Sequence, residues 1–253
     1  MSRKKRNGNG NGNGNGNSNG NGKEVELTAK AKLKTKTKEK ITKARVTVTA
    51  KSENQKHLLK SIKENLVTIV AGPPGTGKTK LAVVSGLREF MMGKYKKMIF
   101  TRPCVEANHE NLGFLPGDLN EKISPYMYPI FDFLSDYLGP QQIEDYMKEE
   151  QIKTFPLAFM RGCTFRNSFV ILDEAQNTSP EQVRMFLTRI GENCKVVITG
   201  DPHQTDVRGK NGLVDACERL EGVKNLSIVK FTKEDIVRNP IVAEIEERYC
   251  EEK

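Results

Sequence analysis

The sequence predicts an α/β domain with a mainly parallel sheet, and three observations predict it. Short apolar, β-branched runs alternate with stretches of helical spacing from Lys51 onward. One such run, inside Leu66–Thr79 (LVTIVAGPPGTGKT), stops abruptly at a Gly/Pro-rich loop. Another, Phe169–Leu172, closes on two adjacent acids, Asp173 and Glu174.

The 253 residues suffice for one domain with a real core and a tail, and the expected division is 1–50 for the tail and 51–253 for the domain. Asn7–Gly22 alternates asparagine and glycine, interrupted at Ser18, and has nothing to bury, so it is expected to be disordered. Lys30, Lys32, Lys34, Lys36 and Lys38 follow at every second position. Residues 1–50 hold 13 Lys/Arg against 3 Asp/Glu, leaving 28 against 29 for the rest, so the net charge of +9 belongs to the tail. Such an arm is either a solvated, self-repelling chain or a sequence-independent phosphate binder. Five cysteines without a C-x-x-C pair argue for a reducing, cytoplasmic setting. No apolar run approaches the ~20 residues of a membrane span, and no membrane partner is expected.

Val46–Thr49 has the composition of a short entry strand, and Lys51–Asn65 reads as a helix with Leu58, Leu59 and Ile62 on its apolar face. The pattern G-x-x-x-x-G-K-[ST] is then complete from Gly72 to Thr79. Gly72, Gly75 and Gly77, with Pro73, Pro74 and Thr76 between them, let the backbone converge its amides on phosphate oxygens. Lys78 reaches the β- and γ-phosphates, and the Thr79 hydroxyl can coordinate magnesium. The helix expected over Lys80–Met91 adds its positive N-terminal end. A P-loop NTPase with ATP and Mg2+ as ligands is the expectation.

Lys97–Arg102 is a second strand, ending in Thr101-Arg102-Pro103, and Glu106–Leu119 reads as loop. Ser124–Leu138 is an aromatic insertion broken by Pro125 and Pro129. Its Tyr126, Tyr128, Phe131, Phe133 and Tyr137 either pack a core or stack on bases.

Asp173, delivered at the carboxyl end of a buried strand, is placed to hold magnesium, and Glu174 to polarise an attacking water. Activating water is what a phosphotransferase avoids, which weighs against that use of the P-loop. A non-hydrolysing switch or scaffold stays open beside an ATPase. Thr178-Ser179-Pro180-Glu181 opens a helix to Ile190. Lys195–Gly200 is a strand running into Asp201-Pro202-His203-Gln204, where the Gln204 amide could sense the γ-phosphate. Val207–Arg219 carries Arg208 at a loop, Asn225–Phe231 is a strand, and Asp235–Tyr249 is an amphipathic helix interrupted by Pro240. An acid pair ending its strand implies a further strand between it and the P-loop strand. The expected order is the Asn225 strand, the P-loop strand, then those of Lys195, Asp173 and Lys97, with nucleotide at their carboxyl ends.

The segments AGPPGTGKT, TRPCVEANHENLGFLPGDLNEKISPYMYPIFD, PLAFMRGCTFRNSFVILDEAQNT, QVRMFLTRIGENCKVVITGDPHQTD and FTKEDIVRNPIVAEI together resemble the PhoH family of cytosolic ATPases. The resemblance covers about Glu53–Tyr249. It implies a RecA-like core similar to the first motor lobe of superfamily 1 helicases. In that setting Gln55 would read the adenine edge, since an amide offers donor and acceptor together; a plain surface glutamine is the alternative. RNA or single-stranded DNA is the implied partner, gripped by Arg102, the aromatic insertion and the basic arm. Some relatives carry a separate PIN nuclease domain, for which residues ahead of 50 leave no room. With one lobe in place of two, the cation for the transition state would come from a neighbouring subunit of a homo-oligomeric ring, a hexamer for instance. Arg238, Arg208 and Arg189 are the candidates, in that order; each has an ordinary surface role as its alternative.

Overall fold

In the computed structural model, which describes residues 46–103, 119–206, 209–237 and 248 and only the backbone of 119–126, the domain is built on one parallel sheet. Its strands are β1 (Val67–Ala71), β2 (Lys97–Arg102), β3 (Ile152–Pro156), β4 (Ser168–Leu172), β5 (Cys194–Gly200) and β6 (Leu226–Lys230), in spatial order β3-β2-β4-β5-β1-β6. Five of them stand in the order expected from the sequence. The sixth, β3, was missed because only Ile152 and Pro156 of its five residues are buried. As an edge strand it shows no continuous apolar run.

Register places the chemistry. Leu172 lies level with Thr101 of β2 and Ile198 of β5, so the next residue, Asp173, emerges between Arg102 and Thr199. Ala71 is level with Gly200, which sets the phosphate loop beside the end of β5.

Helices cover both faces: α1 (Glu53–Glu64), α2 (Lys78–Met91), α3 (Leu119–Ser135) and α4 (Pro140–Lys148), then α5 (Pro180–Leu187) and α6 (Gly212–Arg219). Strand alternation feeds two cores. Phe169 and Ile171 point to the one built with Leu58, Leu87 and Ile130, while Val170 and Leu172 join Ile69, Phe186 and Leu213 in the other. The capping box of Ser179 and Gln182, with Pro180 in the first turn, starts α5 where the sequence placed it. Among the described residues no helix is long and apolar enough to cross a membrane.

Three expectations change. Val46–Thr49 is not a strand, since Val46 is buried in the α1–α2 core through its side chain without joining the sheet. Pro125 and Pro129 do not break α3, which runs unbroken through both. Met127, Ile130 and Leu134 are buried at helical spacing, and Phe131, Phe133 and Tyr137 pack partly against the same core, whereas Tyr128 is exposed. Asp235 closes a 3-10 turn (Lys233–Asp235) in place of opening a helix. Ile236 follows in extended backbone, and the rest of that expected helix beyond Val237 lies outside the described residues, apart from Arg248, as do residues 1–45, residues 104–118, Arg208 and Arg238.

Asp235 fastens β6 to the start of α1. Its carboxylate accepts from Ser52 Oγ at 2.6 Å, Asn54 Nδ2 at 2.8 Å and Thr232 N at 2.9 Å. Burial alone would raise its pKa, but the donors from Ser52, Thr232 and Asn54 outweigh that and hold it below the ordinary carboxylate value. The stabilisation is therefore complete above about pH 4 and is lost as the pH falls through the folded value. Asp235→Asn is expected to cost about 1–3 kcal/mol near neutrality. The melting-temperature gap to wild type should stay constant from about pH 5 to 7 and close below about pH 4.

Candidate nucleotide site

Gly75 and Gly77 adopt left-handed φ values of 77° and 81°, which open the loop and start α2. Gly72 is required for another reason: a Cβ there would lie 2.5 Å from Phe231 Cβ. Its amide donates to Gly200 O at 3.2 Å, fixing the loop to β5. Lys78 is 8% exposed, and its Nζ donates to Gly72 O at 2.8 Å and Pro73 O at 2.7 Å. Thr76 Oγ1 donates to Pro73 O at 2.9 Å.

Gln55 is buried behind this loop. Its Nε2 donates to Thr76 O at 2.9 Å, and its Oε1 accepts from Lys51 N at 2.7 Å. Both ends of the amide are thus engaged within the chain, and Gln55 clamps the phosphate loop from α1. Val237 N holds the other side, donating to Gly75 O at 3.1 Å.

Asp173, 1% exposed, is where the elements meet. Thr79 Oγ1 donates to its Oδ1 at 2.8 Å, and the Thr199 hydroxyl donates to the same oxygen. Arg102 donates to Oδ2 from Nε at 3.0 Å and from Nη2 at 2.5 Å. Two oxygens on adjacent corners of a magnesium octahedron stand about 2.9 Å apart. The Thr79 hydroxyl and the Asp173 carboxylate are the hard oxygen donors such an ion takes, and their hydrogen bond already holds them as close as neighbouring ligands would stand.

Glu174 is a non-glycine residue in the left-handed region, at φ 56° and ψ 40°. Such backbones carry strain that a surrounding structure must hold. Here Gln176, 2% exposed, does so. Its Nε2 donates to Glu174 Oε2 at 2.6 Å while its Oε1 accepts from Asp201 N at 3.0 Å. Gln176 therefore ties the second acid to the loop that carries Gln204.

Pro74, Gly75, Gly77, Lys78, Thr79, Asp173, Glu174 and Gln204 all line one cleft of about 430 Å³, within the range of small-molecule sites. Arg102, Lys80, Gly200, Asp201, Pro129 and Phe133 complete its walls. Gly72, Pro73 and Thr76 belong to the loop without lining the cleft, and Gln55 supports the loop from behind. Arg189 does not line the cleft of its own chain: it is half-buried past the end of α5, with Nε donating to Met185 O at 3.2 Å. The partners sequence reasoning missed are Thr199, Gln176 and the Arg102–Asp173 ion pair. Gln176 had a signal in the run Asp173-Glu174-Ala175-Gln176, where an amide two residues beyond an acid can fold back on it.

A family model described as "PhoH-like protein" matches residues 47–250. A PhoH-like protein of Bacillus subtilis (strain 168) is 48% identical over 201 residues, covering 79% of this chain and 63% of its own length. Protein PhoH of Escherichia coli (strain K12) is 42% identical over 196 residues, covering 76% of this chain and 55% of its own. The chain thus spans about three fifths of the length of these curated relatives. The large terminase of a thermophilic bacteriophage superposes with a TM-score of 0.51 at 15% identity, over 78% of this chain and 50% of that one. That likeness is one of fold.

Proposed function

The chain belongs to the PhoH-like family, and from that premise we propose that it binds ATP with magnesium in this cleft and hydrolyses it, coupling turnover to single-stranded RNA or DNA as a homo-oligomer. The observation that carries the reading is the 2.8 Å contact between Thr79 and Asp173, 94 residues apart, at the mouth of the phosphate loop. It brings together a hydroxyl, a buried carboxylate, a lysine and loop amides where a triphosphate needs all four.

In this reading Lys78 leaves the loop carbonyls for the β- and γ-phosphates, and Thr79 and Asp173 would hold the metal. Bound magnesium would neutralise charge on the phosphates. Glu174 accepts the proton of the attacking water, and Gln204, exposed at the rim, reads the γ-phosphate. Gln55 keeps the loop in register and reads the base edge only by exchanging one of its present partners. Arg238, Arg208 or Arg189 of a neighbouring subunit supplies the remaining cation.

Lys78→Ala removes charge-assisted hydrogen bonds to the phosphates and is expected to weaken ATP binding about 10- to 100-fold by calorimetry. ATP turnover with and without single-stranded RNA, over a salt series, tests the coupling. Stimulation that fades with salt is expected; turnover indifferent to RNA at every salt concentration would remove RNA from the proposal.

A further inference from the structure

Asp173 is buried at the end of β4, and its neutralising charge comes from the adjacent strand. The Arg102 side chain, itself only 14% exposed, reaches Oδ2 with two of its guanidinium nitrogens while Thr79 and Thr199 occupy Oδ1. The carboxylate that would hold the metal is thus already paired with a cation that cannot lose its proton. A bare divalent ion arriving at Oδ1 would bring two further positive charges beside the guanidinium and near Lys78, in a site that water screens poorly. A metal–triphosphate complex is different. It brings net negative charge, for which Arg102 and Lys78 are both attractive neighbours.

We infer that Arg102 is a positioning residue that makes the cleft refuse free divalent metal and admit it only together with the triphosphate. The inference rests on the nucleotide reading above and adds the form in which the ligand enters. Arg102 ends β2, and the parallel register that sets Thr101 level with Leu172 places it beside Asp173, the residue that follows the neighbouring strand. The pair also holds the Asp173 carboxylate with its Oδ1 turned to Thr79.

The test compares wild type, Arg102→Gln, Arg102→Lys and Asp173→Asn in two titrations: Mn2+ alone, and Mn2+ with a non-hydrolysable ATP analogue. If the paired state holds about nine tenths of the nucleotide-free molecules, Arg102→Gln tightens binding of Mn2+ alone by about tenfold. The same substitution is expected to weaken the Mn2+–analogue complex, because a cation facing the phosphates is gone. Arg102→Lys keeps the charge without the planar fork and should fall between wild type and glutamine for Mn2+ alone. Opposite signs in the two titrations support the inference. Weakening in both marks a purely structural role and overturns it, as does unchanged affinity for Mn2+ alone. If neither ligand binds in a manner sensitive to Asp173→Asn, the nucleotide reading itself falls, a result distinct from the loss of the Arg102 effect alone.

Discussion

Glu174→Gln is expected to lower ATP turnover by about 10²- to 10⁴-fold, the scale of a lost general base, while leaving nucleotide affinity close to wild type. Glutamine has the shape of glutamate and keeps an oxygen that can accept from Gln176, so the loop and its left-handed residue should stay in place. What disappears is a carboxylate able to take a proton from water. Binding depends on other groups: the loop amides, Lys78, Thr79 and Asp173. Steady-state turnover beside calorimetry with a non-hydrolysable analogue separates the two quantities. Equal turnover in the variant would mean that this cleft does not hydrolyse ATP through Glu174, and a switch or scaffold would become the better reading.

The parts legible in the sequence are those whose chemistry constrains residue type. The phosphate loop needs glycines at Gly75 and Gly77 for their positive φ, and a lysine and a hydroxyl after them, so it shows as a pattern. The acid strand shows because two carboxylates ending a buried apolar run are costly unless a cation compensates them. From those two, the order of five strands followed. Elements whose stability comes from tertiary packing were opaque. β3, α4 and α6 were passed over, since α4 buries only Ile143 and β3 only its two ends. The prolines of α3 carry the opposite lesson: a local breaking signal was overridden by burial of Met127, Ile130 and Leu134 along one stripe. The Arg102–Asp173 pair spans 71 residues and has no motif of its own. It was nevertheless implicit in the expected order, because placing the Lys97 strand beside the Asp173 strand in parallel puts their carboxyl ends side by side.

The second large effect lies beneath the site. Phe169 is fully buried on β4, four positions ahead of Asp173, and its ring fills the space left by the missing side chain of Gly86 on α2. A Cβ at Gly86 would stand 2.7 Å from Phe169 Cδ1, so strand and helix touch there as closely as an aromatic ring permits. Tyr95 adds an edge-to-face contact at 5.9 Å between ring centroids. Since α2 begins at Lys78 and β4 ends beside Asp173, this contact sets the distance between the two halves of the site. Phe169→Ala is expected to cost about 3–5 kcal/mol, the transfer of the ring plus the cavity it leaves. For a domain of this size that lowers the melting temperature by about 6–20 °C. Urea unfolding should show a lower midpoint with an unchanged slope. Phe169→Leu refills much of the volume and should recover most of the loss. A cost below about 1 kcal/mol for the alanine variant would show that α2 and β4 are held together elsewhere. The 2.8 Å approach of Thr79 to Asp173 would then owe nothing to the Gly86–Phe169 contact.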